Sequence, residues 1–480
     1  MRCAIAAAVV GGLVLGGVMA TPAFAATAAK TTDQKTIKTN GKKPAMKTVV
    51  YRGYEFRVPA SWPVYRLDQH PTTCVRYDVH AVYLGTPGAD MGCPAGLVGR
   101  TQTVSVIPSA TVAAGSGSTA VDQRQQPDGL GGTEVRALPA VRGAITQNPA
   151  EHELRVALGA ASLAATVLGT YGTDPAVVEQ VLGTLRAAPA RAAQTPQSAS
   201  SQALSQQSGE RASVVEQSAA VKTAKPTVYE SWRGVPPNWP AQIVVPQPPP
   251  PLKIHSVSGF DACTAPTLAT MRVWRRQYAA VGVYIGGANS ACAYGNLSAA
   301  WFRFAAAMGW GMLPTYVGPQ APCWGFSGAL INPGKAAAEG QAAGAGAVAD
   351  ARLFGLAEGS PIYYDMEAYT GGQACTNAVL AFLGGWDRAV AAKGYLTGVY
   401  SSQDSGIADM QKAAATGKAG FTKPDAIWIA RWDGNATLDD GTLDWPIGDR
   451  AKQYAGNLHA TVGGITLSID EDVVAGPLAR

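Results

Sequence analysis

Two acidic residues stand one position apart in the segment SPIYYDMEAY, residues 360–369. Side chains at positions i and i+2 of an extended chain point to the same face, so we expect Asp365 and Glu367 side by side, with Tyr363 beneath them. Two such carboxyl groups can hydrolyse a glycosidic bond. One protonates the leaving oxygen, and the other attacks or stabilises the anomeric centre or activates water. The spacing fits either a retaining or an inverting reaction.

The same two acids also have a structural interpretation. Carboxylates are costly to bury unless they are paired, so a buried arginine such as Arg431, or hydrogen bonds from neighbouring loops, would have to satisfy them. In a catalytic pair, by contrast, the two acids would not both be ionised. Crowded acids raise one another's pKa, so one of them stays protonated near neutral pH.

The residues after position 253 alternate between strand-like and helix-like segments. The eight strand-like segments are IHSVSGFD, VGVYIGG, MLPTYVG, PIYYDM, LTGVYSS, AIWIARW, AKQYAG and ITLSIDE. Helix-like segments separate the first six of them. This alternation predicts an α/β fold, with a (β/α)8 TIM-barrel-like domain over residues 254–480 and a doubly wound open sheet as the alternative. The last two strands are joined too closely for full helices, so the barrel should be irregular there.

Functional side chains of such a barrel lie at the C-terminal ends of its strands. Asp261 ends the first predicted strand, Asp365 and Glu367 end the fourth, and Asp470 ends the eighth, so four acids are expected to converge on one cleft. The predicted substrate-binding residues of that cleft are Tyr284, Tyr316, Tyr400, Trp432 and Gln453, with Trp324 as a further candidate. Aromatic faces beside carboxylates suit a carbohydrate, whose C–H faces pack on rings.

The segments GFDACTAP, GVYIGG, PTYVG, YYDMEAY, GVYSS, IWIARW, KQYAG and SIDEDV occur in this order. Together they resemble the actinobacterial secreted glycoside-hydrolase-like domain of unknown function (domain of unknown function 1906). More distantly, they are similar to the family 25 glycoside hydrolases, which are barrel lysozymes that cut peptidoglycan. The resemblance covers nearly all of residues 254–480 and implies a secreted barrel that acts on cell-wall glycan.

The resemblance also implies roles for individual residues. The acids that the lysozymes carry after the first, fourth and eighth strands fall on Asp261, on Asp365 with Glu367, and on Asp470. The Gln-Tyr strand of the lysozymes falls on Gln453 and Tyr454. Glu367 would then be the proton donor, and Asp365 would stabilise the transition state or position the acetamido group of the substrate. The chain departs from the lysozymes after Asp261, where it reads Ala-Cys-Thr instead of Val-Ser, and in its cysteines.

The N-terminus has the pattern of an export signal. Arg2 precedes an apolar run over residues 4–20, and Ala23, Phe24 and Ala25 form a small-x-small cleavage motif. No twin arginine is present, so we predict ordinary Sec export. The protein is then expected to be secreted, either extracellular or associated with the cell wall.

Six cysteines remain after this signal, and an even number in an exported chain predicts disulfides. If no bridge crosses the middle of the chain, Cys74 pairs with Cys93. The later four allow three pairings, of which Cys263–Cys292 with Cys323–Cys375 is preferred. No C-x-x-C or C-x-x-H spacing occurs, so neither zinc nor another cofactor is expected.

Composition divides the chain further. Residues 1–25 are the predicted signal, and residues 26–47 form a Lys-rich segment, predicted to be disordered, that can attract anionic wall polymers or phospholipid. Residues 48–189 predict a small α+β domain whose role the sequence does not indicate. Residues 190–253 are rich in Pro, Gln and Ser and predict a protease-sensitive linker. Apart from the Lys-rich segment the chain is nearly neutral, so nucleic acid is not an expected partner.

Two classes of function remain open at this point. The first is a secreted glycosidase that acts on cell-wall glycan, with peptidoglycan as the candidate. The second is a non-catalytic barrel that binds glycan and organises the wall. A bell-shaped pH dependence of turnover would indicate the enzyme.

Overall fold

The computed structural model describes residues 45–108, 133–159, 164–189, 256–439, 441 and 443–480. The predicted signal, nearly all of the Lys-rich segment and the predicted linker lie outside the described residues. Within the described part of the chain, no helix is both long and apolar enough to cross a membrane.

The described residues between positions 45 and 189 form two β-sheets and one short α-helix, which agrees with the predicted α+β domain. The elements are β1 (Met46–Tyr51), β2 (Tyr54–Pro59), β3 (Val64–Arg66), β4 (Ala81–Leu84), β5 (Thr103–Pro108), β6 (Thr133–Leu138), β7 (Gly143–Asn148), β8 (Glu153–Leu158), β9 (Ala165–Thr170), α1 (Ala176–Leu182) and β10 (Arg186–Ala187). One sheet has the order β1-β2-β10, and the other has the order β3-β4-β5-β9-β8-β7-β6.

Two local sequence patterns in this part differ from the structure. The alternating segment VVYRGYEFRVPASWPV predicts one strand broken by prolines, but it contains a hairpin, because Arg52 and Gly53 turn the chain with φ values of 45° and 77°. The segment DPAVVEQVLGTLRAA predicts a helix with Asp174 as its N-cap, and Asp174 Oδ1 accepts a hydrogen bond from the backbone N–H of Ala176 at 2.9 Å. The helix ends at Leu182, before the predicted end, and Arg186 and Ala187 pair with β2 as β10.

Eight strands form a closed barrel in the second half of the chain. They are β11 (Val257–Asp261), β12 (Ala280–Gly286), β13 (Gly311–Tyr316), β14 (Pro361–Met366), β15 (Leu396–Ser402), β16 (Ala426–Ala430), β17 (Arg450–Val462) and β18 (Ile465–Val474). Each corresponds to a predicted strand, and the closed barrel excludes the open sheet. The strands from β11 to β17 run parallel, whereas β18 is antiparallel to both neighbours. The predicted irregularity is therefore a hairpin, since only Gly463 and Gly464 separate β17 from β18.

Helices cover the outside of the barrel between the first six strands. They are α2 (Leu268–Trp274), α3 (Ala299–Ala307), α4 (Ala336–Leu353), α5 (Gln373–Ala391) and α6 (Ala408–Thr416), the last preceded by a π-helical turn over Gln403–Ile407. Side-chain oxygens of Thr267 and Ser298 cap the N-termini of α2 and α3. Helices α4 and α5 approach closely at Gly340, where a Cβ atom would lie 2.0 Å from Phe382 O.

The N-terminal sheets pack directly on the barrel, and residues 45–480 form one compact unit. A shared hydrophobic cluster includes Tyr77 and Cys93 from the N-terminal part and Cys263 and Cys292 from the barrel. Backbone hydrogen bonds cross the boundary from Tyr77 N to Ala291 O at 2.7 Å and from Gly99 N to Asn289 O at 2.8 Å. No pattern in the sequence predicts this contact. The boundaries drawn at residues 48–189, 190–253 and 254–480 remain predictions.

A buried ionic group joins the same two parts. Arg100 is 1% exposed, and its Nη1 lies 3.2 Å from Glu153 Oε1, while its Nε donates to Ser290 O in the barrel at 2.7 Å. Glu151, also buried, accepts hydrogen bonds from the backbone N–H of Gly287 at 2.7 Å and from Tyr316 OH at 3.2 Å. These contacts fix the N-terminal part against the loop that follows β12.

Candidate active site

Four acids meet at the end of the barrel where the parallel strands terminate. Asp261 and Asp470 are directly opposite each other in the β11–β18 pair. Asp365 lies near the end of β14, and Glu367 is the first residue after that strand. Glu367 is hydrogen-bonded to Asp365 and feels the charge of Asp470, and the charges of Asp470 and Glu367 act on Asp261. The structure therefore brings the four predicted acids into one cluster.

One detail of this convergence differs from expectation. Asp470 was predicted to end the eighth strand, but it lies inside β18. Because β18 runs antiparallel to β11, the middle of β18 rather than its C-terminal end lies level with the end of β11. The antiparallel direction thus brings Asp470 to the level of Asp261.

Gln453 on β17 links the acids to the aromatic side chains. Its Nε2 donates to Asp261 Oδ2 at 2.8 Å and to Asp470 Oδ2 at 3.3 Å. Its Oε1 accepts hydrogen bonds from Tyr400 OH at 2.9 Å and from Trp432 Nε1 at 2.8 Å. This amide is 2% exposed, so all of its hydrogen-bonding capacity is directed at the site.

Three of the predicted aromatic residues lie with the acids. Burial raises the pKa of Tyr284, and the charges of Asp261 and Asp365 raise it further. Burial also raises the pKa of Tyr400, with Glu367 as the next cause. Trp432 is 54% exposed although its ring nitrogen is bonded to Gln453, so its ring face is accessible.

Two of the predicted aromatic residues, Tyr316 and Trp324, do not line the acid cluster. Tyr316 is buried between barrel and helices, stacked on Trp386, and its OH donates to Glu151. Side chains of a strand alternate between its two faces. Leu313 packs inside the barrel, so Tyr316, three positions later, faces outward. Trp324 is only 6% exposed and packs near Gly99, so it offers no free platform for a sugar.

Gln320 positions the acidic pair and was missed by the sequence analysis. Its Nε2 donates to Asp365 O at 2.8 Å, and its Oε1 accepts from the backbone N–H of Glu367 at 2.8 Å. This fully buried amide thereby fixes the backbone on both sides of Met366. It belongs to the loop after β13, and no local sequence signal links it to residues 45 positions later.

Asp472 is a fifth acid at this end of the barrel and was also missed. It is fully buried, and its Oδ1 accepts a hydrogen bond from Trp428 Nε1 at 2.9 Å. Burial raises its pKa well above the ordinary range, and the charge of Asp261 is the next cause. A signal was present, because Asp470 and Asp472 have the same i, i+2 spacing as Asp365 and Glu367.

The environment raises the pKa values of these acids. Burial raises the pKa of Glu367 to about 7, although a hydrogen bond with Asp365 opposes the rise, and the charge of Asp470 adds to it. Burial raises the pKa of Asp470 to about 6 against a hydrogen bond from the backbone N–H of Asn457. Burial and then the neighbouring Glu367 raise the pKa of Asp365 well above its usual range. For Asp261 the causes of the rise are burial and then Asp470.

These directions contradict an ion pair with a buried arginine, which would lower the pKa values of Asp365 and Glu367. Arg431, the arginine considered for that role, is instead half-exposed and lies 3.0 Å from Asp433 Oδ2. Asp261, Asp365 and Asp470 are at most 2% exposed, whereas Glu367 is partly exposed. Within the described residues, no cluster of acids, histidines or cysteines has the arrangement of a metal site.

The three disulfides have the preferred pairing: Cys74–Cys93, Cys263–Cys292 and Cys323–Cys375. Cys263 lies two residues after Asp261, so its bridge to Cys292 restrains the loop beside the acids. We expect mass analysis of non-reduced peptides to recover these three pairs. Loss of one bridge should cost about 2–5 kcal/mol of unfolding free energy. A free thiol at Cys263 or Cys375 in the native protein would contradict this pairing.

Residues 272–474 match the family model of the Rv2525c-like, glycoside hydrolase-like domain. The match covers most of the barrel and less than half of the chain. The resemblance drawn from the motifs between GFDACTAP and SIDEDV is thereby confirmed for most of the barrel. The matched residues contain all the acids of the cluster except Asp261, which precedes them. A search of curated proteins finds no match to the sequence.

Several solved structures are similar to this chain. An uncharacterized B. stearothermophilus protein shares 17% identity over 47% of this chain and 96% of its own, with a TM-score of 0.33. The Mycobacterium tuberculosis Tat-secreted protein Rv2525c, in complex with HEPES, shares 14% identity over 46% of this chain and 95% of its own, with a TM-score of 0.33. A family 25 glycosyl hydrolase from Bacillus anthracis shares 13% identity over 46% of this chain and 89% of its own, with a TM-score of 0.28.

Proposed function

We propose that the protein is a secreted glycosidase that hydrolyses a cell-wall glycan, with peptidoglycan as the first candidate. The observation that carries this proposal is the position of Glu367. It is the partly exposed member of a carboxyl cluster, and its pKa is raised to about 7. An acid with a pKa near the working pH can both hold a proton and give it to a leaving oxygen.

The pKa values separate the roles of the acids. With a pKa of about 7, Glu367 holds a proton more readily near neutral pH than Asp470, whose pKa is about 6. Two carboxyl groups whose pKa values differ in this way suit an acid and a charged stabiliser. Glu367 donates its proton to the leaving oxygen. The Asp470 carboxylate stabilises the positive charge that develops at the anomeric carbon or activates water.

Asp365 supports the donor in this scheme. Its own pKa lies well above the usual range, so it is protonated and can donate a hydrogen bond to Glu367. When Glu367 loses its proton, that hydrogen bond stabilises the new carboxylate. Gln320 holds the backbone of both residues, so the pair keeps its geometry while the proton moves.

The neighbouring side chains support a carbohydrate as the ligand. The accessible ring of Trp432 can pack on the C–H face of a sugar, while the hydroxyl groups of Tyr284 and Tyr400 lie near the acids. The motif resemblance to family 25 lysozymes supports peptidoglycan as the first glycan to test. The N-terminal signal pattern and the three disulfides support export. The Lys-rich segment adds a weak attraction to an anionic cell surface as part of the proposal.

A second candidate is a non-catalytic barrel that binds glycan. It is favoured by the burial of Asp261, Asp365 and Asp470, which leaves Glu367 as the accessible acid among the four. The two candidates are separated by incubating the full-length mature protein with a panel of wall polysaccharides and analysing the products by mass spectrometry. New oligosaccharides support the enzyme. Saturable binding without product supports the second candidate.

The dependence of kcat/KM on pH should be bell-shaped. Activity should fall as pH rises above about 7, because Glu367 loses the proton that it must donate. It should also fall as pH drops below about 6, because Asp470 becomes protonated and loses its charge. Initial rates between pH 4 and 9 at low substrate concentration would measure both limbs. A rate that stays constant from pH 6 to 9 would contradict proton donation by Glu367.

A further inference from the structure

A segment of the N-terminal part, residues 91–99, crosses the mouth of the barrel, and we call it the strap. A Cβ atom at Gly96 would lie 3.1 Å from Asp470 Oδ2, which is closer than ordinary van der Waals contact. The strap backbone therefore lies directly against one acid of the site. Gly96 itself is exposed and has a φ of 59°, a conformation that side chains other than glycine, asparagine and aspartate seldom adopt.

Both ends of the strap are fixed. At its start, Cys93 is bonded to Cys74 and belongs to the hydrophobic cluster that the two parts of the chain share. At its end, Val98 forms an antiparallel bridge with Ser290, and the next position, Gly99, approaches the loop after β13, where a Cβ would lie 2.7 Å from Ser327 O. The buried Arg100 follows immediately. The strap is thus part of the folded site.

These contacts place the strap over one side of the barrel mouth. Gly96 lies against β18, and the bridge to Ser290 and the approach to Ser327 lie on the loops after β12 and β13. The other side, above β14 to β16, has accessible residues at the same level. Ala368 follows the acidic pair and is exposed, and Trp432 after β16 is 54% exposed.

We propose that the strap closes the acid site on the side of β18, β11 and β12, so that the site takes the end of a glycan chain rather than its middle. A chain enters over Trp432, reaches Glu367 and stops against Gly96, which is the specificity-determining residue. This inference rests on the proposed glycan function and adds the substrate class to it. It also gives the N-terminal domain a role, as one wall of the site.

The first test follows products and binding stoichiometry with the full-length mature protein. The probe is a set of soluble, uncrosslinked peptidoglycan strands, separated by length and labelled at the reducing end. Hydrolysis at ends should release short fragments while long strands persist, and the molar amount of protein bound at saturation should be constant per strand whatever its length.

The possible outcomes separate the strap proposal from the glycosidase proposal. Rapid shortening of the strands by cuts at internal bonds would overturn the strap proposal and leave the glycosidase proposal standing. Binding that is constant per strand, without any product, would support the strap proposal and overturn hydrolysis. Binding sites that increase in number with strand length would overturn the strap proposal. A protein that neither binds nor cleaves the strands would overturn both.

The second test compares two glycines with the same backbone conformation. Gly96 and Gly417 have φ values of 59° and 60°, but at Gly417 a Cβ atom would have no neighbouring atom within 4 Å. Gly417→Asn therefore controls for the cost of placing asparagine in this backbone conformation, without a contact to the site. Only Gly96→Asn should weaken strand binding or kcat/KM, by about tenfold or more, because its side chain enters the site. Equal affinity and equal kcat/KM in the two variants would overturn the role of Gly96.

Discussion

Replacing Glu367 with glutamine should lower the rate of glycan hydrolysis by about 10²- to 10⁴-fold, the usual contribution of general acid catalysis. Glutamine keeps the size of the side chain but has no proton to transfer. Glycan binding should stay within a few-fold of the unchanged protein, because the loss concerns the transition state alone. Product formation and binding affinity, measured on the same preparations, would show the separation.

The same variant should not lose stability. The pKa of Glu367 rises from 4.5 to about 7 on folding, so between these pH values the folded state binds more protons than the unfolded state. The stabilising contribution of the side chain is therefore complete below pH 4.5 and is lost as pH rises through 7. Glutamine does not ionise. As pH rises from 4.5 to above 7, the unfolding free energy of Glu367→Gln should therefore fall less than that of the unchanged protein. At pH 8 the variant should be at least as stable as the unchanged protein.

Two further variants sharpen this test. Glu358→Gln is a matched control, because Glu358 is an exposed glutamate outside the acid cluster, and it should change neither rate nor stability. Asp365→Asn can still donate a hydrogen bond to residue 367, so a small loss of rate would support the donor role of Asp365, whereas a large loss would support a role through its charge. A Glu367→Gln protein that melts much earlier at pH 8 would indicate a structural role for the acid instead.

Replacing Arg100 with methionine should lower the unfolding free energy by about 3–5 kcal/mol, the usual cost of breaking a buried ion pair by removing one partner. Methionine is similar in length but makes no hydrogen bond. Glu153 would lose one of its two arginine partners, and Ser290 O would lose its buried donor. Denaturant unfolding of the full-length protein at pH 7 measures the change.

Arg66→Met is the matched control for this experiment. Arg66 pairs with Asp68 in the same domain, but both side chains are about 40% exposed, and such pairs contribute about 0–1 kcal/mol. Since Arg100 also joins the two parts of residues 45–480, its loss should separate a single unfolding transition into two. Equal stability of the Arg100→Met and Arg66→Met variants would show that the buried ionic group does not hold the N-terminal part on the barrel.

The sequence alone determined the features that depend on neighbouring residues. The period-2 and period-3.6 patterns located all eight barrel strands and the helices between them, since each element carries its own signal. The pleat of an extended chain placed Asp365 and Glu367 on one face, and its strand-end position gathered Asp261 with them. Asp470 joins them for a different reason, because β18 is antiparallel to β11. The even number of cysteines in each half predicted Cys74–Cys93 and left three pairings for the later four, of which the structure contains the preferred one.

Only the tertiary structure decided the contacts between distant residues. Gln320 bonds to residues 45 and 47 positions later, and Arg100 bonds to Ser290 across 190 positions. Neither contact leaves a pattern in a local window, because each arises only when separate elements pack. The same reason explains why Tyr316, late in its strand like Tyr284, faces the buried Glu151 instead of the acids. Which face of a strand is turned to the site depends on the register of the whole barrel, and one residue of register exchanges the two faces.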